Sequence, residues 1–172
     1  MNLSNTLTCS RILLIPIVVL FLIEGSKSSN KIAALFFIIA TFTDWLDGHL
    51  ARRRNQTTTL GAILDPIADK LLIISALLPL VSLGRVDAWL AGIIIGREFL
   101  VTVLRAFAIN EGNIMPAQMM GKCKMVLEVA SITMLILNLF PVFARYLLIL
   151  AMILAIISGI EYFRKSAKEI FQ

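Results

Sequence analysis

The amino-acid sequence predicts an all-α, polytopic membrane protein with six transmembrane helices, on three observations. Hydrophobic residues make up 59% of the 172 positions and charged residues only 16%, with a mean hydropathy of +0.90. A soluble domain of this length has too much surface for its volume to bury that much apolar side chain. The apolar residues also fall into long runs, each near the roughly 20 residues that cross a bilayer as a helix. Finally, the basic residues are unevenly shared between the two ends of those runs.

The runs, in order, are Leu7–Ile23, Ile32–Leu50, Gly61–Leu83, Ala88–Ile109, Met125–Phe140 and Val142–Phe163. The first contains a purely apolar part, Ile12–Ile23, that is also the length of a signal-peptide core. No positive stretch precedes it apart from Arg11, and no Ala-x-Ala site follows. It is therefore read as a retained helix, bent near Pro16. Turn-like stretches separate the first five runs: EGSKSSNK, RRRNQTTT, GRVD and NEGNIMPAQMMGKCK. Only Pro141 divides the fifth run from the sixth, which predicts a tight helical hairpin. No internal repeat, linker or low-complexity segment stands out, so residues 1–172 are expected to form a single transmembrane domain.

Charge orients these helices. With both termini cytoplasmic, the inner flanks hold nine basic residues, Arg11, Arg52, Arg53, Arg54, Lys122, Lys124, Arg164, Lys165 and Lys168. The outer flanks hold four, Lys27, Lys31, Arg85 and Arg145. That asymmetry obeys the positive-inside rule. The net charge of +5 thus reads as a topology signal and an attraction to anionic headgroups, not as nucleic-acid binding. Cys9 and Cys123 both fall at the reducing cytoplasmic face, where a disulfide is not expected, and their spacing fits no metal motif.

Four aspartates break the apolar pattern. Asp44 and Asp47 are three apart, and Asp65 and Asp69 four apart, so on helices each pair projects from one face. The two helices meet at RRRNQTTT. At 1.5 Å per residue, Asp44 and Asp69 lie about 12 Å inside the helix ends, with Asp47 and Asp65 nearer the surface. Four carboxylates at one depth cannot all stay ionised without cations, because like charges raise one another's pKa. A single intramembrane acid could be kept neutral or paired with a base such as Lys70; four point to function. Oxygen-only ligands at this density suit Mg²⁺ or Mn²⁺, and four carboxylates can hold two ions, an arrangement suited to phosphoryl chemistry. Small residues at Gly48, Ala51 and Gly61 allow close helix packing or a flat ligand against the backbone. Arg52 and Thr58 supply a cation and a hydroxyl suited to a diphosphate.

Together these residues form Asp44-x2-Asp47-Gly48-x2-Ala51-Arg52-x8-Gly61-x3-Asp65-x3-Asp69, which resembles the motif of the CDP-alcohol phosphotransferase family at every fixed position. The six-helix plan is similar too, so the resemblance spans essentially the whole chain. It implies that Asp44 and Asp65 bridge two Mg²⁺ ions, that Asp47 completes the first site and Asp69 the second, and that Asp69 is the catalytic general base. It implies further that Gly48, Ala51, Arg52, Thr58 and Gly61 line the site of the CDP-linked lipid. The opening NTLTCSR resembles the family's Asn-x-Leu-Thr-x-x-Arg start, which would add Asn5, Thr8 and Arg11 near the cytidine diphosphate. A helix cap followed by a snorkelling arginine would give the same short pattern. A homodimer and a bacterial plasma-membrane location, with the site at the cytoplasmic face, are expected from the resemblance as well.

The acceptor is read from GREFLVTVLRAFAINEG and GKCK, which look like the bacterial phosphatidylglycerophosphate synthases of that family. The resemblance implies CDP-diacylglycerol and glycerol 3-phosphate as substrates. A phosphorylated acceptor needs cations, and Arg105 with Lys122, then Arg97 and Lys124, are the candidates. Arg97 could equally pair with an acid such as Glu98 on a neighbouring helix, and the lysines could serve topology alone. Met125 and Glu128 depart from the threonine and glutamine usual in those synthases. His49 occupies a variable position of the motif and is read as an interface residue. Two alternatives stay open: a sister enzyme using phosphatidylglycerol or inositol phosphate, and a divalent-cation or proton-coupled transporter. Clustering of the acids near one surface, with no matching set in a second half, favours an enzyme over transport.

Overall fold

The computed structural model describes the backbone of residues 3–54, 59–110 and 119–170, and side chains over 10–43, 67–104 and 120–164. Within these limits the chain is all α, with six helices and no strand: α1 Leu3–Glu24, α2 Lys27–Arg54, α3 Thr59–Ser82, α4 Ala88–Asn110, α5 Met119–Ile136 and α6 Pro141–Ile170. Each of the six apolar runs coincides with one helix.

The helix ends differ from the apolar runs for identifiable local reasons. Gly25, at φ +71°, closes α1 in the left-handed conformation that glycine adopts without a Cβ clash. Ser26 then caps α2: its Oγ accepts the Ser29 N–H at 3.1 Å, and its carbonyl accepts the Asn30 N–H at 2.9 Å. Most of EGSKSSNK is therefore helix rather than loop, since a good N-cap lets α2 begin five residues before its apolar run.

Two further ends are Schellman motifs. After α3, Gly84 (φ +67°) donates its N–H to Val81 O and Arg85 donates to Leu80 O, both at 2.9 Å. After α5, Asn138 (φ 54°) donates to Leu135 O at 3.2 Å while Leu139 donates to Met134 O at 2.9 Å. Helix α5 thus stops at Ile136, short of the apolar run's end at Phe140. Asn138 tolerates the left-handed region, and Pro141 is pre-set for the first position of α6. At α1, Pro16 is accommodated within one continuous helix.

Side chains fasten this end of the bundle. Arg85 Nη1 reaches across to the carbonyls of Leu135 (3.2 Å) and Ile136 (2.9 Å), capping α5 with a cation where its dipole is negative. Arg145, in the first turns of α6, approaches Asp87 at 3.7 Å and the Arg85 carbonyl at 3.4 Å. The C-termini of α3 and α5 and the N-termini of α4 and α6 therefore share one end. The aspartate-bearing parts of α2 and α3 extend toward the other.

α1 packs against α2 and α3, while α6 packs against α5 and α4. Their common core includes Val18, Leu22, Phe37, Leu77, Leu80, Leu90, Ile94, Ile132, Leu135 and Leu148, interleaved with Ala33, Ala34, Ala40, Ala76, Ala144 and others. Small residues at these seams bring the backbones close. Large apolar side chains remain exposed on the outside: along α6 they recur at Phe143, Tyr146, Leu150, Ile153, Ile157 and Ile160. Arg11, Lys124 and Glu128 meanwhile are buried. Among the described residues, the segment Pro141–Arg164, with a mean hydropathy of 2.3, is long and apolar enough to cross a membrane.

Candidate active site

Asp44 and Asp47 fall on α2, and Asp65 and Asp69 on α3, so the three- and four-residue spacings are helical ones. The side chains of Asp44, Asp47 and Asp65 lie outside the described residues, as do those of Gly48, His49, Ala51, Arg52 and Gly61. So do the side chains of Asn5, Thr8, Cys9 and Arg105, while Thr58 lies wholly outside. Among the described residues no group of three metal-ligating side chains is brought together.

Asp69 is described, and it is not isolated. Arg11 Nη1 donates to Asp69 Oδ1 at 2.7 Å, with Arg11 1% and Asp69 38% exposed. The arginine of NTLTCSR is thus buried against α3 rather than reaching for an interface. Asn5 and Thr8 fall inside α1, which begins at Leu3, so neither stands ahead of the helix as a cap. The contact spans 58 residues of sequence and ties α1 to α3 beside the aspartates. A guanidinium at one carboxylate oxygen orients the group and compensates its charge. Asp69 remains accessible enough to meet a ligand. The donor set fits a hard divalent cation, since aspartate oxygens are its preferred ligands.

A second charged group joins α4, α5 and α6. Arg97 donates from Nε to the Ala155 carbonyl at 2.8 Å, from Nη2 to Ser158 Oγ at 2.8 Å and from Nη1 to Glu98 Oε1 at 2.7 Å. Glu98 Oε1 also accepts Lys124 Nζ at 2.6 Å, and that ammonium contacts Glu128 Oε2 one helical turn on. Arg97 packs over Gly159, where a Cβ would stand in ordinary contact at 3.6 Å from Nε. Of the candidate acceptor residues, then, Arg97 and Lys124 are held within this network. Lys122, two residues before Lys124, is exposed and makes no ion pair among the described residues. Arg97 pairs with Glu98 of its own helix, whereas the sequence suggested a partner on a neighbour. Glu128 stood out in the sequence only as a departure from glutamine, although its four-residue spacing from Lys124 was a signal for an ion pair.

A family model for CDP-alcohol phosphatidyltransferase matches residues 1–157. The chain belongs to that family. Its similarity to two relatives is nearly end to end. A CDP-diacylglycerol–glycerol-3-phosphate 3-phosphatidyltransferase of Bacillus subtilis is 37% identical over 96% of this chain and 95% of its own length. A protein of the same name from Rickettsia felis is 36% identical, covering 97% of this chain and 96% of its own. Another from Pseudomonas fluorescens reaches 44% identity over 72% of this chain and 63% of its own length. CDP-alcohol phosphatidyltransferases are membrane-bound and generally depend on a divalent metal. That dependence agrees with the oxygen donors on α2 and α3.

Proposed function

We propose that this chain transfers the phosphatidyl group of CDP-diacylglycerol to glycerol 3-phosphate, giving phosphatidylglycerophosphate and CMP. The observation that carries this reading is full-length similarity to bacterial enzymes of that name, in a chain whose aspartate motif sits on two adjoining helices. Asp44, Asp47, Asp65 and Asp69 would hold two Mg²⁺ ions, or Mn²⁺. When bound, these metals supply neutralisation of the diphosphate and stabilisation of the charge that develops on it. Asn5, Thr8, Gly48, Ala51, Arg52, Thr58 and Gly61 would line the CDP-lipid, with Arg11 bracing Asp69. Asp69 takes the proton of the attacking hydroxyl as the acceptor oxygen bonds to the β-phosphorus, and the bond from that phosphorus to CMP breaks.

The six helices would cross the bacterial plasma membrane with both termini and the aspartates cytoplasmic, as a homodimer. The lipid donor then keeps its tails in the bilayer while the soluble acceptor enters from the cytoplasm. The exposed Cys123 provides a test of that topology. A membrane-impermeant thiol reagent should miss it in intact cells and label it after permeabilisation. Labelling from outside would invert the orientation.

Arg105 and Lys122 are the proposed contacts to the acceptor phosphate, while Arg97 and Lys124, the weaker candidates, are held in the network with Glu98 and Glu128. Purified protein should release CMP with CDP-diacylglycerol and glycerol 3-phosphate, and much less with phosphatidylglycerol or inositol phosphate. Arg105→Ala and Lys122→Ala should each raise KM for glycerol 3-phosphate about tenfold to a hundredfold, as loss of a charge-assisted phosphate contact implies. KM for the CDP-lipid should stay the same. Arg105→Lys should restore only part of the loss, because a point charge does not replace a planar fork. A preference for another alcohol would overturn the acceptor, and metal flux without CMP would favour transport.

A further inference from the structure

The network between α4, α5 and α6 holds a second carboxylate besides the one that bridges its two cations. Glu98 by itself bridges Arg97 and Lys124, and those three groups sum to one positive charge. Glu128 adds a second carboxylate on Lys124 and brings the sum to zero. It does so at a cost. Glu128 is 2% exposed, and its Oε1 accepts no hydrogen bond among the described residues. A buried carboxylate with one oxygen unpartnered is expensive to keep.

The position of the network suggests what the extra charge does. Lys124 follows exposed Lys122 by two residues on α5. Glu98 precedes Arg105 by seven residues on α4, which is about 10 Å along the helix. A unit charge still acts on a dianion over that distance, even where water enters. An uncompensated cation here would add to the pull on any anion near Arg105 and Lys122.

We propose that Glu128 is a positioning residue that sets the affinity for a phosphorylated acceptor, by holding the Lys124 ammonium inward and cancelling its charge. This rests on the acceptor reading above and deepens it. Glu128 limits how tightly the dianion is bound, so that acceptor and phosphorylated product can leave.

The sign of the expected effect separates this role from a merely structural one. Glu128→Gln preserves shape and keeps a carbonyl oxygen for Lys124, but leaves the network with one net positive charge. KM for glycerol 3-phosphate should fall about threefold to tenfold, as a unit charge acting on a dianion from about 10 Å implies. KM for CDP-diacylglycerol should stay the same. Adding Lys124→Met to Glu128→Gln returns the network to neutrality and should abolish the gain. A structural role alone would instead lower kcat and thermal stability without tightening the acceptor. Wild-type protein that forms no product from glycerol 3-phosphate would overturn the functional reading beneath the inference. Normal turnover in wild type, with acceptor KM unchanged or raised in Glu128→Gln, would overturn this inference alone. So would a lowered KM that persists in the double variant.

Discussion

Asp65→Ala should reduce CMP release by about a thousandfold or more while leaving the protein inserted and helical. The proposed role makes Asp65 a bridge between two cations, so its loss weakens both sites at once. Removing one acid or base group in such chemistry commonly costs factors of 10²–10⁴, and disrupting a two-ion clamp affects entering and leaving oxygens together. Ala at Asp44, Asp47 or Asp69 should be comparably damaging. Asp69→Ala carries an added consequence, because it strips the buried Arg11 guanidinium of a carboxylate partner at 2.7 Å. That variant should lose stability as well as activity. The comparison needs turnover at saturating Mg²⁺ beside a thermal unfolding curve in the same detergent. Near-normal turnover by Asp65→Ala would rule out the two-metal assignment.

Lys124→Ala is expected to have the largest effect on stability, about 3–5 kcal/mol. Breaking a buried ion pair from one side leaves the opposite charge with neither water nor partner. Here the abandoned group is Glu128, already 2% exposed, and Glu98 loses one of its two cations. The link from Lys124 on α5 to Glu98 on α4 is lost together with the pair that Lys124 makes to Glu128 one turn on in its own helix. Lys124→Ala combined with Glu128→Ala should be more stable than Lys124→Ala by itself, since the second change removes the stranded carboxylate. Denaturant or thermal unfolding of the purified protein measures both. An unfolding midpoint for Lys124→Ala equal to wild type would mean that the network carries no structural load.

Some of this protein is legible in the sequence because the rules that govern it are local. Apolar runs near 20 residues, Pro141 and the glycines at turns announced six helices in order. The three- and four-residue spacings of the aspartates needed only helical periodicity to share a face. Family membership followed from the same fixed spacings across Asp44–Asp69. The helix ends were legible only partly. That Ser26 caps α2, and that Asn138 closes α5, depends on backbone hydrogen bonds decided by a few residues of competing propensity.

The remaining features depend on partners far away in sequence. Nothing near Arg11 indicates Asp69, 58 residues on. Nothing near Arg97 indicates Ser158, 61 residues on. Arg85 and Arg145 counted in the sequence only as outer charges, yet in the fold they grip the ends of other helices. The sequence by itself determined the number of helices, the acidic motif and the family, because periodicity and spacing are carried by the chain's own covalent order. Only the tertiary structure decided which cations remain exposed and which are neutralised by carboxylates. A charge is satisfied by whatever lies within about 3–4 Å in space, and that distance does not exist until the helices have packed.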